Sequence, residues 1–267
     1  MAAVLIDANF MGRSMATVLN DDRHLASGKD PLPASIPNIR DGHLAAVYYG
    51  QRCSGDFYDF VRANRDCVLF GLFDVAGGLH ETRSIMCQVQ NAFRTLGMQL
   101  LETPDGNVAE SILELWIRLN MTVMKAANGV HSCPAFFGCY NEDVKTLSYV
   151  NAGHTPGLCR DGKQIRELEA TALPLGLFSH SIPDSSVVFL GPGNGVLLTS
   201  KGIVEARRRG EEFGMERAKA YFAETGFESA HETCVGILGR VRQFMGTAPT
   251  HDDVTTLSLV RSPRTAG

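Results

Sequence analysis

The sequence has no long hydrophobic run, no Cys-x-x-Cys pair and no surplus of basic residues. None of its apolar segments approaches the roughly 18 residues of a membrane-spanning helix, so we expect no membrane partner. Its formal net charge is -4 at pH 7, whereas nucleic-acid-binding proteins usually carry a basic surplus. The N-terminus lacks the charged-then-apolar pattern of a signal peptide. We therefore expect a cytoplasmic protein that binds neither membrane nor nucleic acid.

The 7 cysteines are spread over the whole chain, and most stand inside apolar runs. This distribution predicts buried free thiols and argues against a disulfide framework or a zinc site. The one basic cluster, Arg207-Arg208-Arg209, is followed by Glu211-Glu212, and we interpret it as a solvated turn. With 44% hydrophobic and 20% charged residues, the composition is that of an ordinary globular protein.

The pattern divides the chain into three parts. Residues 1–40 are weakly patterned and interrupted by prolines, which predicts an N-terminal extension that is weakly structured or holds a short helix near 8–19. Residues 41–261 read as one domain, and 262–267 as a tail.

Within the domain, apolar periodicity predicts strands and amphipathic helices in a definite order. The strands are expected at 44–49, 56–61, 67–73, 135–140, 147–151, 157–160, 164–168, 186–190, 195–199 and 254–260. The helices are expected at 80–101, 107–128, 212–223 and 229–245. We expect the first three strands to form antiparallel hairpins, and Asn107 with Glu110 to form a capping box. The absence of βαβα alternation predicts an α+β domain with mostly antiparallel sheets.

Aspartates next to glycine stand at several predicted strand ends. Asp56 follows Gly55, Asp74 precedes Val75-Ala76-Gly77-Gly78, and Asp252-Asp253 opens the last strand. Hard divalent cations such as Mg²⁺ and Mn²⁺ prefer oxygen ligands of this kind. A single aspartate in a turn proves nothing, because aspartate is a common turn residue. The whole set indicates a cation site.

Six motifs then occur in a recognisable order. They are Gly55-Asp56-Phe57-Tyr58-Asp59, Phe73-Asp74-Val75-Ala76-Gly77, Tyr149-Val150-Asn151-Ala152-Gly153-His154-Thr155-Pro156, Leu173-Pro174-Leu175-Gly176-Leu177, Gly202-Ile203-Val204-Glu205-Ala206 and Asp252-Asp253-Val254-Thr255. Over about residues 32–261 the chain resembles the metal-dependent serine/threonine phosphatases of the stage II sporulation protein E type, in the protein phosphatase 2C superfamily. The resemblance implies an α-β-β-α sandwich, with two antiparallel sheets flanked by helix pairs.

The resemblance also implies one or two Mn²⁺ or Mg²⁺ ions at one end of the sandwich. The aspartate matching Asp56 bridges both metals, the one matching Asp74 binds one metal with the carbonyl of Val75, and Asp252 is a further ligand. Gly55, Gly77, Gly78 and Asp253 belong to the loops around this site. A water held by the metals would attack phosphorus, and the substrate would be a phosphoserine or phosphothreonine on a regulatory protein of sigma-factor partner switching.

The match has departures at the site. The family's Gly-Gly-Asp is Ser54-Gly55-Asp56 here, and the loop after Asp74 lacks the family's histidine. Lys201 replaces the aspartate of the family's Thr-Asp-Gly turn. Our hypothesis is that the Lys201 ammonium takes the place of one metal and pairs with Asp56 and Asp252. Alternatively, the turn directs Lys201 into solvent.

Two function classes therefore remain open. One is an active phosphatase with an altered metal site, favoured by the three intact aspartates. The other is a catalytically weak or inactive pseudophosphatase that acts as a protein-binding regulatory module, favoured by Lys201. Cys234 and Arg240 match a Cys-x5-Arg phosphatase loop, but Cys234 has helical apolar spacing and is interpreted as a core residue. We expect His154 to have a structural role in its turn.

Overall fold

The computed structural model describes residues 4–6, 31–49, 54–103, 106–226 and 229–263. The predicted helix near residues 8–19 lies outside these ranges. The strands are β1 (Val4–Ile6), β2 (Gly42–Tyr49), β3 (Asp56–Arg62), β4 (Cys67–Asp74), β5 (Ala135–Asn141), β6 (Thr146–Ala152), β7 (Gly157–Asp161), β8 (Gln164–Leu168), β9 (Ser186–Phe189), β10 (Gly195–Thr199), β11 (Arg207–Arg208), β12 (Glu211–Glu212) and β13 (Val254–Arg261). The helices are α1 (Leu79–Leu100), α2 (Val108–Ala126), α3 (Lys201–Val204), α4 (Gly214–Glu224) and α5 (Ala230–Met245).

The long strands form two sheets. The first has the order β1-β2-β13-β10-β7-β8, and the second has the order β3-β4-β5-β6-β9. All neighbours in them are antiparallel except β1 and β2, which are parallel. The predicted mostly antiparallel α+β architecture is confirmed.

Three apolar layers hold the sheets and helices together. Phe73 and Phe137 of the second sheet pack with Phe93 of α1, and this layer includes α2. Phe70 and Leu257 belong to the layer between the sheets, and a third layer joins α4 and α5 to the first sheet. Strands covered on both faces need apolar residues at nearly every position, which explains the continuous apolar run of β4. The fold is therefore an α-β-β-α sandwich, as expected.

One local prediction was confirmed and one was wrong. The side chain of Asn107 caps α2 by accepting a hydrogen bond from the amide of Glu110. The expected hairpin between the first two long strands does not form. Instead, β2 pairs with β13 in the first sheet, while β3 pairs with β4 in the second. Chain-neighbouring strands are common partners, but a sandwich can separate them into different sheets.

The residues that lead into β2 are packed against the domain. Leu32 exchanges backbone hydrogen bonds with the side chain of Gln90 on α1, and the Arg94 guanidinium donates to the carbonyl of Pro33 at 3.2 Å. Ile36 and Ile39 pack against the apolar layer between the sheets. Among the described helices, none combines the length and apolar character needed to cross a bilayer.

Candidate active site

Asp56 and Asp74 face each other across two neighbouring strands. Asp56 is the first residue of β3, Asp74 is the last of β4, and the two are paired in register. Gly55 permits this corner to be tight, because a Cβ there would lie 2.0 Å from the carbonyl oxygen of Val75. The amide of Val75 in turn donates to the carbonyl of Gly55 at 3.1 Å. The tertiary structure thus brings together Asp56, Asp74 and the Val75 carbonyl.

Asp252 and Asp253 reach the same corner from the first sheet. The buried carboxylate of Asp253 accepts hydrogen bonds from the Tyr48 hydroxyl at 2.7 Å and the Asp56 amide at 3.1 Å. The hydroxyl of Ser54 donates to Asp252 at 2.7 Å, and its amide donates to Asp253 at 3.3 Å. Asp253 therefore joins the two sheets, while Asp252 is held by its side-chain contact with Ser54.

The turn before α3 is fastened to the start of β13. Ser200 donates its hydroxyl to the carbonyl of Asp253 at 2.9 Å, and its amide donates to the carbonyl of Thr255 at 2.8 Å. A Cβ at Gly202 would lie 2.1 Å from the carbonyl oxygen of Asp253, so this turn requires glycine there. Thr255 donates its hydroxyl to Asp56 at 2.7 Å. These contacts place Lys201 at the edge of the aspartate cluster.

Lys201 is half exposed and begins α3. Its ammonium lies 3.8 Å from the carboxylate of Glu205, one helical turn further on. Within the described part of the chain it forms no ion pair with Asp56 or Asp252, so the predicted pairing is absent from this structure. Its positive charge acts instead on Asp74, whose pKa it lowers. Lys201 is neither turned away from the site nor inserted between the carboxylates.

The aspartate cluster carries negative charge that the protein balances only in part. Burial and the neighbouring charge of Asp74 raise the pKa of Asp56 well above its usual range, although Thr255 opposes the shift. Burial and the charge of Asp252 raise the pKa of Asp74 to about 6, against the lowering effect of Lys201. Like charges crowded in a poorly solvated corner destabilise one another unless a cation or a proton offsets the repulsion.

The donors at this corner suit a hard divalent cation in chemistry, since carboxylates and a backbone carbonyl all offer oxygen. The positions of the side chains, however, do not yet form a coordination site. No group of three or more histidine, cysteine, aspartate or glutamate side chains in the described ranges is placed so that it could hold a metal ion. The residues therefore fit the type of ion, and the side chains would have to adjust to close around it.

The loop after Asp74 is supported by a residue that the sequence did not indicate. Nδ1 of His131 lies 2.6 Å from the carbonyl oxygen of Ala76, and the amide of Ala76 donates to Ser132 at 2.9 Å. A Cβ at Gly77, whose φ is 132°, would lie 2.9 Å from the His131 ring. Gly77 therefore permits this loop to lie against His131, whereas Gly78 is the N-cap of α1.

Sequence reasoning missed the hydrogen-bond donors that orient the carboxylates. Ser54 adjoins one recognised motif and Thr255 lies within another, and their proximity to aspartates in the sequence was a usable signal. Tyr48 and His131 lie outside the motifs, and no pattern marks them.

The two other candidates have structural environments. Cys234 lies fully buried in α5 with its thiol 3.8 Å from the carbonyl of Ala45, and burial raises its pKa to about 12. This confirms the interpretation as a core residue, because a nucleophilic cysteine needs a lowered pKa. His154 is buried, its amide donates to the Asn151 side chain at 2.9 Å, and burial lowers its ring pKa to about 4.

Comparison with known proteins identifies the family and the fold. The family model described as Stage II sporulation protein E (SpoIIE) matches residues 64–262. The chain is 22% identical over 251 residues to Protein IcfG of Synechocystis sp.. The matched region covers 86% of this chain but only 40% of that relative. It is also similar to the solved RsbU and RsbW domains of Rv1364c from Mycobacterium tuberculosis, with a TM-score of 0.69, 22% identity, and coverage of 90% of this chain and 64% of that one.

A second similar structure contains metal. It is the catalytic domain of the serine threonine protein phosphatase PstP, solved in complex with 2 manganese ions. The TM-score is 0.59 at 14% identity, covering 83% of this chain and 98% of that one. At these identities the structural matches establish the shared fold.

Proposed function

The chain belongs to the stage II sporulation protein E family, and from this premise we propose that it is a metal-dependent protein serine/threonine phosphatase. Its substrate would be a phosphoserine or phosphothreonine on a regulatory protein of the partner-switching type. The observation that carries the proposal is the cluster of Asp56, Asp74 and Asp252. These carboxylates come from different sheets, and their negative charge is balanced only in part by the protein.

Asp56, Asp74, Asp252 and the carbonyl of Val75 would hold the ion, which we propose to be Mn²⁺ or Mg²⁺. When bound, such an ion supplies the Lewis acidity that activates water and neutralises phosphoryl oxygens. The manganese in the PstP domain supports this choice. A second ion is doubtful, because Lys201 stands where the family supplies another aspartate.

The surrounding residues prepare this corner for the reaction. Thr255 orients Asp56 through a 2.7 Å hydrogen bond, and Asp253 holds the backbone of Asp56. Such contacts position carboxylates before substrate arrives, which reduces the cost of ordering them. Lys201 supplies a positive charge beside Asp74, where an anionic phosphoserine must approach a negatively charged cluster.

The second candidate is a weak or inactive pseudophosphatase that binds a partner protein with the same fold. Lys201 favours it, as does the lack of any three-membered metal-binding side-chain group in the described residues.

One comparison of variants separates the two candidates. We would measure Mn²⁺ binding by calorimetry and Mn²⁺-dependent hydrolysis of a phosphoserine peptide by wild type, Asp74→Ala, Lys201→Asp and the control Lys163→Gln. Lys163 lies in the exposed β7–β8 turn. We expect Asp74→Ala to lose at least about 100-fold in rate, a typical loss for a misplaced catalytic group, and Lys163→Gln to match wild type.

The outcomes are distinct. If wild type binds no Mn²⁺ and is as slow as Asp74→Ala, the enzyme proposal fails and the pseudophosphatase is favoured. Lys201→Asp is expected to bind Mn²⁺ more tightly than wild type. If it gains neither metal nor rate, Lys201 does not occupy a metal position.

A further inference from the structure

Two adjoining cavities lie between α4, α5 and the β11–β12 hairpin. Their volumes are about 310 and 420 Å³, and Arg217 and Phe244 line both of them. Phe213 and Tyr221 line the first, and Arg208 and Arg209 line the second. We call this continuous depression the hairpin groove; its lining also includes Glu211, Glu224 and Arg240. It belongs to the helix layer that covers the first sheet, and no catalytic aspartate lines it.

The groove has aromatic walls and an ordered arginine. The rings of Phe213 and Phe244 meet edge to face with centroids 5.7 Å apart. The guanidinium of Arg217 lies 4.8 Å from the centroid of the Phe244 ring, and it donates to the carbonyl of Phe213 at 3.0 Å. An arginine fixed by stacking and by backbone hydrogen bonds loses little further freedom when it binds an anion.

Some of the positive charges at the groove are not paired with carboxylates. Arg208 donates to the carbonyl of Phe244 at 3.0 Å, and within the described residues neither it nor Arg209 forms an ion pair. Arg209 is exposed at the hairpin turn, with a φ of 50°. Arg217 and Glu211 are 3.4 Å apart and exposed, an arrangement that contributes little stability and is easily exchanged for another partner.

The groove lies close to the candidate active site along the chain. Lys201 begins the 4-residue helix α3, and β11 of the hairpin starts after two further residues. The amide of Phe213 donates to the carbonyl of Ala206 at 2.8 Å. A helix of this length spans about 6 Å. The hairpin that borders the groove is therefore separated from Lys201 by one short helix and two further residues.

We propose that the hairpin groove binds an acidic segment of the phosphoprotein substrate, close in sequence to its phosphorylated residue. The occupant follows from charge complementarity, because two arginines without ion pairs and a stacked third favour carboxylates. The aromatic walls suit the aliphatic parts of a peptide. Glu211 and Glu224 also line the groove, but four lining arginines outnumber them, so its charge is positive overall. The position of the segment relative to a phosphoserine rests on the proposed function, whereas its binding to the groove does not.

Direct binding tests the groove without any catalysis. The probe is a fluorescein-labelled unphosphorylated peptide rich in glutamate and aspartate, and the comparison peptide carries glutamine at those positions. Anisotropy titrations use the full chain as wild type, Arg208→Gln/Arg209→Gln and Arg118→Gln, a control whose side chain is exposed on α2 in the opposite helix layer. Far-UV circular dichroism checks that each variant is folded.

Wild type is expected to bind the acidic peptide at least about tenfold more tightly than the glutamine peptide at low salt, with a smaller ratio as salt rises. The double variant should lose at least about threefold in affinity for the acidic peptide only, since each exposed ion pair contributes modestly. Arg118→Gln should match wild type. Equal binding by the double variant and wild type overturns the proposal, as does an equal loss in Arg118→Gln. Tighter binding of a single-stranded oligonucleotide, or a dimer that the double variant dissociates, assigns the groove to another occupant and also overturns it.

Hydrolysis of phosphopeptides with acidic or glutamine flanks separates this proposal from the proposed function. A preference of wild type for acidic flanks in kcat/KM that the double variant loses supports both. Arginine-dependent peptide binding without hydrolysis supports the proposed role of the groove and overturns the proposed phosphatase activity. Hydrolysis without arginine-dependent binding supports the phosphatase activity and overturns the proposed role of the groove.

Discussion

Replacing Gly55 by alanine tests whether the close approach of two backbone segments builds the candidate site. The added methyl would stand 2.0 Å from the carbonyl oxygen of Val75 and 2.8 Å from its carbonyl carbon. A carbon and an oxygen that are not bonded need about 3.3 Å, so one segment must move by about 1.3 Å. Both neighbours are backbone atoms, and no flexible side chain can absorb the displacement.

The size of the effect follows from that displacement. Overpacking of this kind costs about 1–3 kcal/mol, which lowers Tm by roughly 2–12 °C in a domain of this size. A shift of about 1 Å in a catalytic group reduces the rate by about 100-fold. Because Gly55 separates Ser54 from Asp56, the shift also strains the contacts of Asp252 and Asp253. We therefore expect Gly55→Ala to lose hydrolysis more completely than stability.

The assay combines thermal unfolding with kcat/KM for a phosphoserine peptide at saturating Mn²⁺. Gly239→Ala is the matched control, because it makes the same change in an exposed helical position where a Cβ would meet nothing within 4 Å. Alanine there should raise stability by up to about 1 kcal/mol and leave activity unchanged. If Gly55→Ala keeps both the Tm and the activity of wild type, the tight corner is not required and the reasoning is refuted.

Three further changes test other parts of the structure. Asp59→Ala leaves Arg94 without the buried carboxylate that it binds at 2.6 and 2.9 Å. Chemical denaturation should therefore show that the free energy of unfolding falls by about 3 kcal/mol. The double variant Asp59→Ala/Arg94→Ala should be only slightly less stable than Asp59→Ala. Burial lowers the pKa of His154 to about 4, whereas its unfolded pKa is about 6.5. Between these values the unfolded chain binds the proton more readily, so the stability that neutral His154 permits is complete above pH 6.5 and falls by about 3 kcal/mol as the pH drops to 4. His154→Gln should flatten that part of the stability-pH profile, and an unchanged profile would contradict the assignment. Cys234→Ala should keep kcat/KM within about twofold, whereas a loss of several orders of magnitude would restore the cysteine-phosphatase interpretation.

Much of the fold could be predicted from local patterns. Apolar runs placed strands β2 to β10 and β13 to within a few residues, and the 3.6-residue period placed α1, α2, α4 and α5. Each of these elements buries at least one face, and burial requires an apolar pattern in the sequence. Asn107 capped α2 as predicted, since a cap depends on residues only a few positions apart. The order of the short motifs also identified the family.

Contacts between residues far apart in sequence required the tertiary structure. The pairing of β2 with β13, the hydrogen bond from Tyr48 to Asp253 and the contact of His131 with Ala76 each join distant segments. Arg207-Arg208-Arg209 is exposed, as expected for a solvated turn, and only the structure shows that it belongs to a β-hairpin beside a groove. The aromatic residues of that groove come from α4, α5 and the preceding loop, so no local pattern combines them.

Lys201 shows where the two kinds of information divide. The sequence by itself determined that a lysine stands where the family has an aspartate. Only the tertiary structure decided that its ammonium lies near Glu205 and acts on Asp74, without the predicted pairing to Asp56 and Asp252. The physical reason is that the sequence gives the identity of a side chain but not its neighbours. Which charged groups surround the Lys201 ammonium depends on which strands and turns pack beside it.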